Sequence, residues 1–301
     1  MDWLNHPSYK PLRDKLIARF RERFYTFKTL RPSIFLCGGM NSKRRDRLAD
    51  YIRKRHPDKL LFYADDVWAQ LASKSSSNAL KIENELAKLA DIVIIVVESP
   101  GTFAELGAFS LSSELRKKLL PIVNIQYKND NSFINTGPLT WIDADSTFKP
   151  TIFVNFSVIL DAVQELDERL SRLSITGRES GERVENNKLS SRHLLFLLCD
   201  LLAIIGPATE HQCQYYLDAI LGGGRVWGID NLLSLGLAMG VLKHIDNLNS
   251  ARLYFRPLEN GILQPFLHLR SLNLSSERAR FLNALINIKE LNPSIHSMSE
   301  R

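Results

Sequence analysis

The residues best suited to chemistry lie in one string, Glu-Ser-Pro-Gly-Thr-Phe-Ala-Glu-Leu-Gly-Ala-Phe, at positions 98–109. It follows an apolar, β-branched run at 91–97 (DIVIIVV), the composition of a strand buried on both faces. Pro100-Gly101 supplies a tight strand-to-helix turn, and Thr102 is placed to cap the helix that follows. On that spacing Glu105 falls in the first turn, where the positive end of the helix favours an ionised carboxylate. Gly107 costs about 1 kcal/mol relative to alanine inside a helix, which suggests close approach by another backbone or a ligand. The spacing Thr102-x-x-Glu105 is equally that of a capping box, a purely structural use of the same glutamate. The chemical use is as a fixed anion. Such an anion can stabilise positive charge that develops on a substrate, or attack it as a nucleophile.

A carboxylate in this position must be set at the end of a sheet, and the surrounding pattern supplies one. Short apolar strands are expected at 33–37, 59–63, 91–97, 119–125 and 151–156, alternating with helices at 42–55, 78–90, from about 102, and at 157–173. The fold expected is therefore α/β, a Rossmann-like parallel sheet with right-handed crossovers. Ligands of such sheets lie at the carboxyl ends of the strands. Gly38, Gly39 and Met40 after the first strand, and Glu98, Ser99, Gly101 and Thr102 after the third, are accordingly candidate substrate-binding residues. Asp65 and Asp66, after the second strand, are either further members of the cleft or a solvated loop.

An α+β module follows. Residues 174–191 are polar and without periodicity and read as a linker. Helices at 192–205, 208–221 and 229–239 and a hairpin at 241–257 resemble a winged helix-turn-helix. The domains expected are thus a basic N-terminal helix (1–31), the α/β domain (32–173), the linker, the winged-helix domain (192–270) and a helical tail (271–301).

The bulk numbers narrow the classes. Of the net +6, residues 1–60 carry sixteen Lys or Arg against six Asp or Glu, a local +10. Such concentration favours an anionic partner such as nucleic acid, with Lys43, Arg44, Arg45 and Arg47 as the candidate surface, against solvated helix faces. The helix at 229–239 contains no Lys or Arg, so it is better suited to packing or a protein contact than to base readout; Lys243, Arg252 and Arg256 on the hairpin remain able to meet phosphates. Cys37, Cys199 and Cys213 have no CxxC spacing and read as reduced thiols of a cytoplasmic protein. The seven histidines are scattered, giving no expected metal site. The longest apolar run, at 194–205, is interrupted by Asp200 and too short for a bilayer, so no membrane association is expected.

The string at 98–109 resembles the nucleoside 2-deoxyribosyltransferase-like superfamily, in which a Gly-Thr-x-x-Glu-x-Gly type segment follows the third strand. The resemblance implies that Glu105 meets the anomeric carbon and that the glycine turn at 34–40 approaches the bound nucleoside. It implies further that Glu83, or the neighbouring Glu85, is a second carboxylate holding a sugar hydroxyl or nucleophile. Several deoxyribosyltransferases carry an Asp ahead of the catalytic Glu. Here Glu98-Ser99 stands instead, so base recognition does not carry over. The whole layout, basic helix, glycosidase-like domain and winged helix, is similar to the effector proteins of type II retrons. That resemblance implies a toxic antiviral effector, held with a reverse transcriptase and msDNA and self-associating, that releases nicotinamide from NAD. NAD would be a substrate, with no cofactor. Nicotinamide leaves without general-acid help, and no acid is evident in the sequence. Alternatives are a deoxyribosyltransferase or nucleotide N-glycosidase, and a non-catalytic nucleic-acid-binding regulator.

Overall fold

The computed structural model describes residues 3–27, 31–63, 87, 89–173, 182–222, 228–246, 252–257, 265–269, 272–286 and 288. The chain divides into two compact units, residues 31–176 and residues 1–30 with 177–301. The N-terminal segment thus belongs with the C-terminal third. It forms helix α1 (Lys10–Phe20) and strand β1 (Phe24–Phe27). The basic N-terminal helix expected within 1–31 ends at Phe20. Beyond it Phe-Tyr-Thr-Phe, aromatic and β-branched, takes the extended form that those side chains favour.

In the unit 31–176 the described strands are β2 (Ser33–Cys37), β3 (Leu60–Phe62), β4 (Ile92–Val97), β5 (Leu119–Asn124) and β6 (Ile152–Val154). Helix α2 (Lys43–Arg55) follows β2, α3 (Pro100–Leu111) follows β4 and α4 (Val163–Ser171) follows β6. The sheet is parallel in the order β3-β2-β4-β5-β6. This is a doubly wound, Rossmann-like order, reversing direction between β2 and β4. All six residues of β4 are buried, because helices cover both faces of the sheet. One face packs Ile34, Leu36, Ile92, Ile94 and Ile122 against Leu48 and Ile52 of α2 and Leu166 and Leu170 of α4. Of the helix expected over 78–90, Ala87 and Leu89 are helical, and most of the rest lies outside the described residues.

The other unit continues with β7 (Glu182–Glu185), α5 (Ser191–Ile205), β8 (Ala208–Thr209), α6 (Glu210–Leu221), α7 (Ile229–Ala238), β9 (Lys243–Asp246), β10 (Arg252–Phe255) and α8 (Leu274–Ile286). The linker expected at 174–191 contains β7, which pairs antiparallel with β1 from Phe24↔Glu185 to Phe27↔Glu182. The partner strand lies far away in sequence, so no local pattern marks the pairing. Strands β8, β10 and β9 form a second antiparallel sheet in that order. Helix α5 is buried from Leu194 to Ile205, including Asp200. That carboxylate pairs with buried Arg256 and accepts from the N–H groups of Phe266 and Leu267. The phosphate contact considered for Arg256 is therefore excluded: a guanidinium 3% exposed and spent on Asp200 cannot reach a phosphate.

Candidate functional site

The strand-to-helix turn after β4 is built around a cap that differs from the expected one. Ser99, not Thr102, is the N-cap of α3, and Thr102 is the third helical residue. The Ser99 hydroxyl accepts from Thr102 N–H at 3.3 Å, while Thr102 Oγ1 accepts from the N–H groups of Ser99 (2.9 Å) and Glu98 (3.0 Å). Thr102 therefore serves two orphan donors and is buried. Three residues further on, Glu105 lies beyond the first turn, with no part in the cap. This corrects both expectations for Glu105: it is neither the glutamate of a capping box nor a first-turn residue favoured by the helix end. It is half-buried on the second turn of α3.

The Gly38-Gly39 turn after β2 closes against this loop. A Cβ on Gly38 would stand 2.8 Å from Arg45 Cβ, and one on Gly39 3.3 Å from Ser99 Cβ. Gly38 is thus required by protein packing, while a side chain at Gly39 would need Ser99 to give by a few tenths of an ångström. Gly39 N–H donates to Glu98 Oε1 at 3.1 Å, and Arg44 Nη1 to Glu98 Oε2 at 2.9 Å. Arg44 also donates through Nε to the Phe156 carbonyl (2.9 Å) and lies over the Phe156 ring. Asn41 completes the turn with φ +57°, a left-handed conformation that asparagine tolerates better than most residues. Ser42 then caps α2 by accepting from Arg45 N–H.

These loops enclose a cleft of ≈ 760 Å³ at the carboxyl ends of β2 and β4, the switch point of the sheet. Of the residues expected to bind substrate, it is lined by Gly39, Met40, Glu98 and Ser99. Lys43, Arg44 and Arg47, expected on a nucleic-acid surface, line it too. Gly38, Gly101, Thr102 and Glu105 do not: Gly38 and Thr102 are taken up by packing and capping, and Gly101 and Glu105 sit further along the turn and helix. Arg45 is buried, its guanidinium 4.8 Å from the Tyr63 ring and 3.5 Å from Asp46. It is therefore no part of a surface for nucleic acid. Asp66 and Glu83, with Asp65 and Glu85, lie outside the described residues. Asn41, Ser42, Phe156 and Ser157 complete the lining and escaped the sequence reading. The strand-end rule, applied also to the last strand, would have nominated Phe156 and Ser157. Apart from the backbone of its own helix, nothing described comes within 4 Å of a Cβ placed on Gly107, so the close approach expected there is not made by a described residue.

Sheet order and cleft define a doubly wound α/β protein with a polar cleft at its switch point. The chain belongs to the STM3845 retron effector protein family, whose model matches residues 41–249. It is 41% identical over 234 residues to the Escherichia coli "Retron Ec73 putative ribosyltransferase/DNA-binding protein", covering 69% of this chain and 72% of that one. It is 38% identical over 123 residues to the E. coli "Retron Ec86 putative ribosyltransferase/DNA-binding protein", where the match spans 40% of each chain. Among the described residues, no helix is long and apolar enough to cross a membrane.

Proposed function

We propose that this retron effector is an N-glycosidase that cleaves the bond between nicotinamide and ribose in NAD, with Glu105 as the catalytic carboxylate. The observation that carries the reading is the cap of α3. Ser99 and Thr102 form the capping box between them, so the capping role that the spacing also offered Glu105 falls to other residues. The names of the two relatives, which include ribosyltransferase, support chemistry at C1′ of a ribose. In the proposed reaction the C1′–N bond breaks with its electron pair passing to the pyridinium nitrogen. Nicotinamide leaves neutral, and Glu105 steadies the oxocarbenium until water adds and loses a proton, giving ADP-ribose. A positively charged leaving group needs no proton donor. Glu105 stands six residues past Ser99, about 9 Å along the helix axis.

The second unit supports a docking role. Its order α5-β8-α6-α7-β9-β10 and the sheet order β8-β10-β9 suit a winged helix-turn-helix. Its α7 has no basic residue to offer base edges, so we assign the module to holding the effector on a reverse transcriptase–msDNA complex, in the cytoplasm, rather than to reading sequence.

The experiment is to incubate the full-length protein, alone and with its reverse transcriptase and msDNA, with NAD and with deoxynucleosides, following released nicotinamide and bases. Glu105→Gln and Glu98→Gln run in parallel. Nicotinamide release lost in Glu105→Gln upholds the reading. Loss in Glu98→Gln alone would transfer the chemistry to the cleft carboxylate. Base release without nicotinamide would make the enzyme a deoxyribosyltransferase or nucleotide N-glycosidase, and silence throughout would leave a binding protein.

A further inference from the structure

The cleft has an electrostatic character that the sequence reading assigned elsewhere. Its charged lining residues are Lys43, Arg44, Arg47 and Glu98. Arg44 and Glu98 are spent on each other, 2.9 Å apart, with the carboxylate side chain only 6% exposed. Lys43 and Arg47, four residues apart and so on one face of α2, are both exposed, and neither forms an ion pair with a described residue. Among the described residues, the cleft therefore presents two cations without an ion-pair partner beside one neutralised pair. It lies at the carboxyl ends of β2 and β4, the switch point where ligands of doubly wound sheets bind.

We infer that Lys43 and Arg47 form a phosphate subsite, so that the substrate is a nucleotide or dinucleotide and not a free nucleoside. The inference rests on the proposed reading that the cleft serves the N-glycosidase reaction. It reassigns the two side chains from a nucleic-acid surface to the substrate. Arg44 is a positioning residue: tied to Glu98 and the Phe156 carbonyl, it holds the β2–α2 turn while its neighbours meet the ligand. A charge-assisted hydrogen bond is worth roughly 10- to 100-fold in affinity, so two of them separate phosphorylated from unphosphorylated ligands sharply.

The test is calorimetric, on the full-length protein, with ADP against adenosine and with a short single-stranded oligonucleotide as competitor. The wild type is expected to bind ADP at least about tenfold more tightly than adenosine, with the margin shrinking as salt rises. In Lys43→Gln/Arg47→Gln, matched to wild type in melting temperature, the margin collapses; in the charge-preserving Lys43→Arg/Arg47→Lys it survives. Equal binding of ADP and adenosine, or a margin that persists in the glutamine variant, overturns the subsite. So does loss of oligonucleotide binding in that variant while the margin for ADP is kept. Because ADP cannot release nicotinamide, its binding is judged separately from catalysis. ADP binding without turnover of NAD keeps the subsite and rejects the glycohydrolase. Where NAD is cleaved, the ratio of kcat/KM for nicotinamide mononucleotide over nicotinamide riboside is expected to fall at least about tenfold in the glutamine variant.

Discussion

Arg44 donates to Glu98 Oε2 across a gap of 54 residues in sequence, and the Gly39 N–H takes the other carboxylate oxygen. Together the three residues join the turns after β2 and β4, so the walls of the cleft depend on one carboxylate. Glu98→Ala leaves a backbone N–H and a guanidinium without their acceptor. It should destabilise the protein by about 1–3 kcal/mol. Glu98→Gln, which keeps an oxygen for Gly39, should cost less. Chemical denaturation of both variants checks the order; equal losses would mean that side-chain volume, not the two donors, matters at this position.

The double use of Thr102 gives a second expectation. Thr102→Val removes the acceptor for the N–H groups of Glu98 and Ser99 inside a buried turn, whereas Ser99→Ala removes the acceptor for Thr102 N–H alone. Loss of the cap should cost about 1 kcal/mol for Ser99→Ala. Two orphaned donors should make Thr102→Val worse, at about 1–3 kcal/mol. Urea melts of the two variants decide, and a larger loss for Ser99→Ala would contradict the geometry.

Two glycines should answer substitution in opposite directions. Alanine at Gly38 meets Arg45 Cβ at 2.8 Å, and forcing that buried side chain aside should cost about 1–3 kcal/mol. At Gly107, inside α3 with no described atom beyond its own helix backbone within 4 Å of the added methyl, alanine should stabilise by about 0.5–1 kcal/mol. Thermal melts of both variants are the measurement. Destabilisation by Gly107→Ala would restore the close approach that its sequence position suggested.

The buried pair in the other unit should be costly to break from either side. Burial pushes the Asp200 carboxyl up to about 6, against the pull of Arg256 and the two N–H donors. Arg256→Met strands that carboxylate, and Asp200→Leu strands the guanidinium, each at about 3–5 kcal/mol. The double replacement should recover most of the loss, as read in a double-mutant cycle of denaturation free energies. A double variant as unstable as the sum of the singles would show that the donors from Phe266 and Leu267, not the ion pair, dominate.

Asp167 of α4 gives a pH dependence. Burial opposes its ionisation, but hydrogen bonds from Tyr51 (2.7 Å) and His56 (2.8 Å) prevail and hold its carboxyl below the ordinary 3.8. With the folded value below the unfolded one, its contribution is present above pH 3.8 and drains away as the pH falls through the depressed value. The stability gap between wild type and Asp167→Asn should therefore be full near about pH 5 and shrink towards about pH 2, and melts across that range check it.

The elements that carry the parallel sheet were legible because each is local. The continuous apolar run of β4 and the glycine turn after β2 each announce themselves within a dozen residues, and strands alternating with helices admit few sheets. The string around Glu98 and Ser99 was visible for the same reason. What only the tertiary structure decided is whatever depends on distant partners. Strand β1 was hidden inside a helical pattern because its partner β7 lies past residue 180, in a segment too polar to stand out. The choice of Ser99 over Thr102 as cap depends on where the chain leaves β4, a matter of one turn that capping spacing alone leaves ambiguous. The fates of four neighbouring cations were equally undetermined. Helical geometry turns Arg45 inward onto Tyr63 and leaves Lys43 and Arg47 facing the cleft, while Arg44 meets a carboxylate 54 residues away. Composition records that a stretch is basic; only packing determines which of its charges remain to meet a ligand.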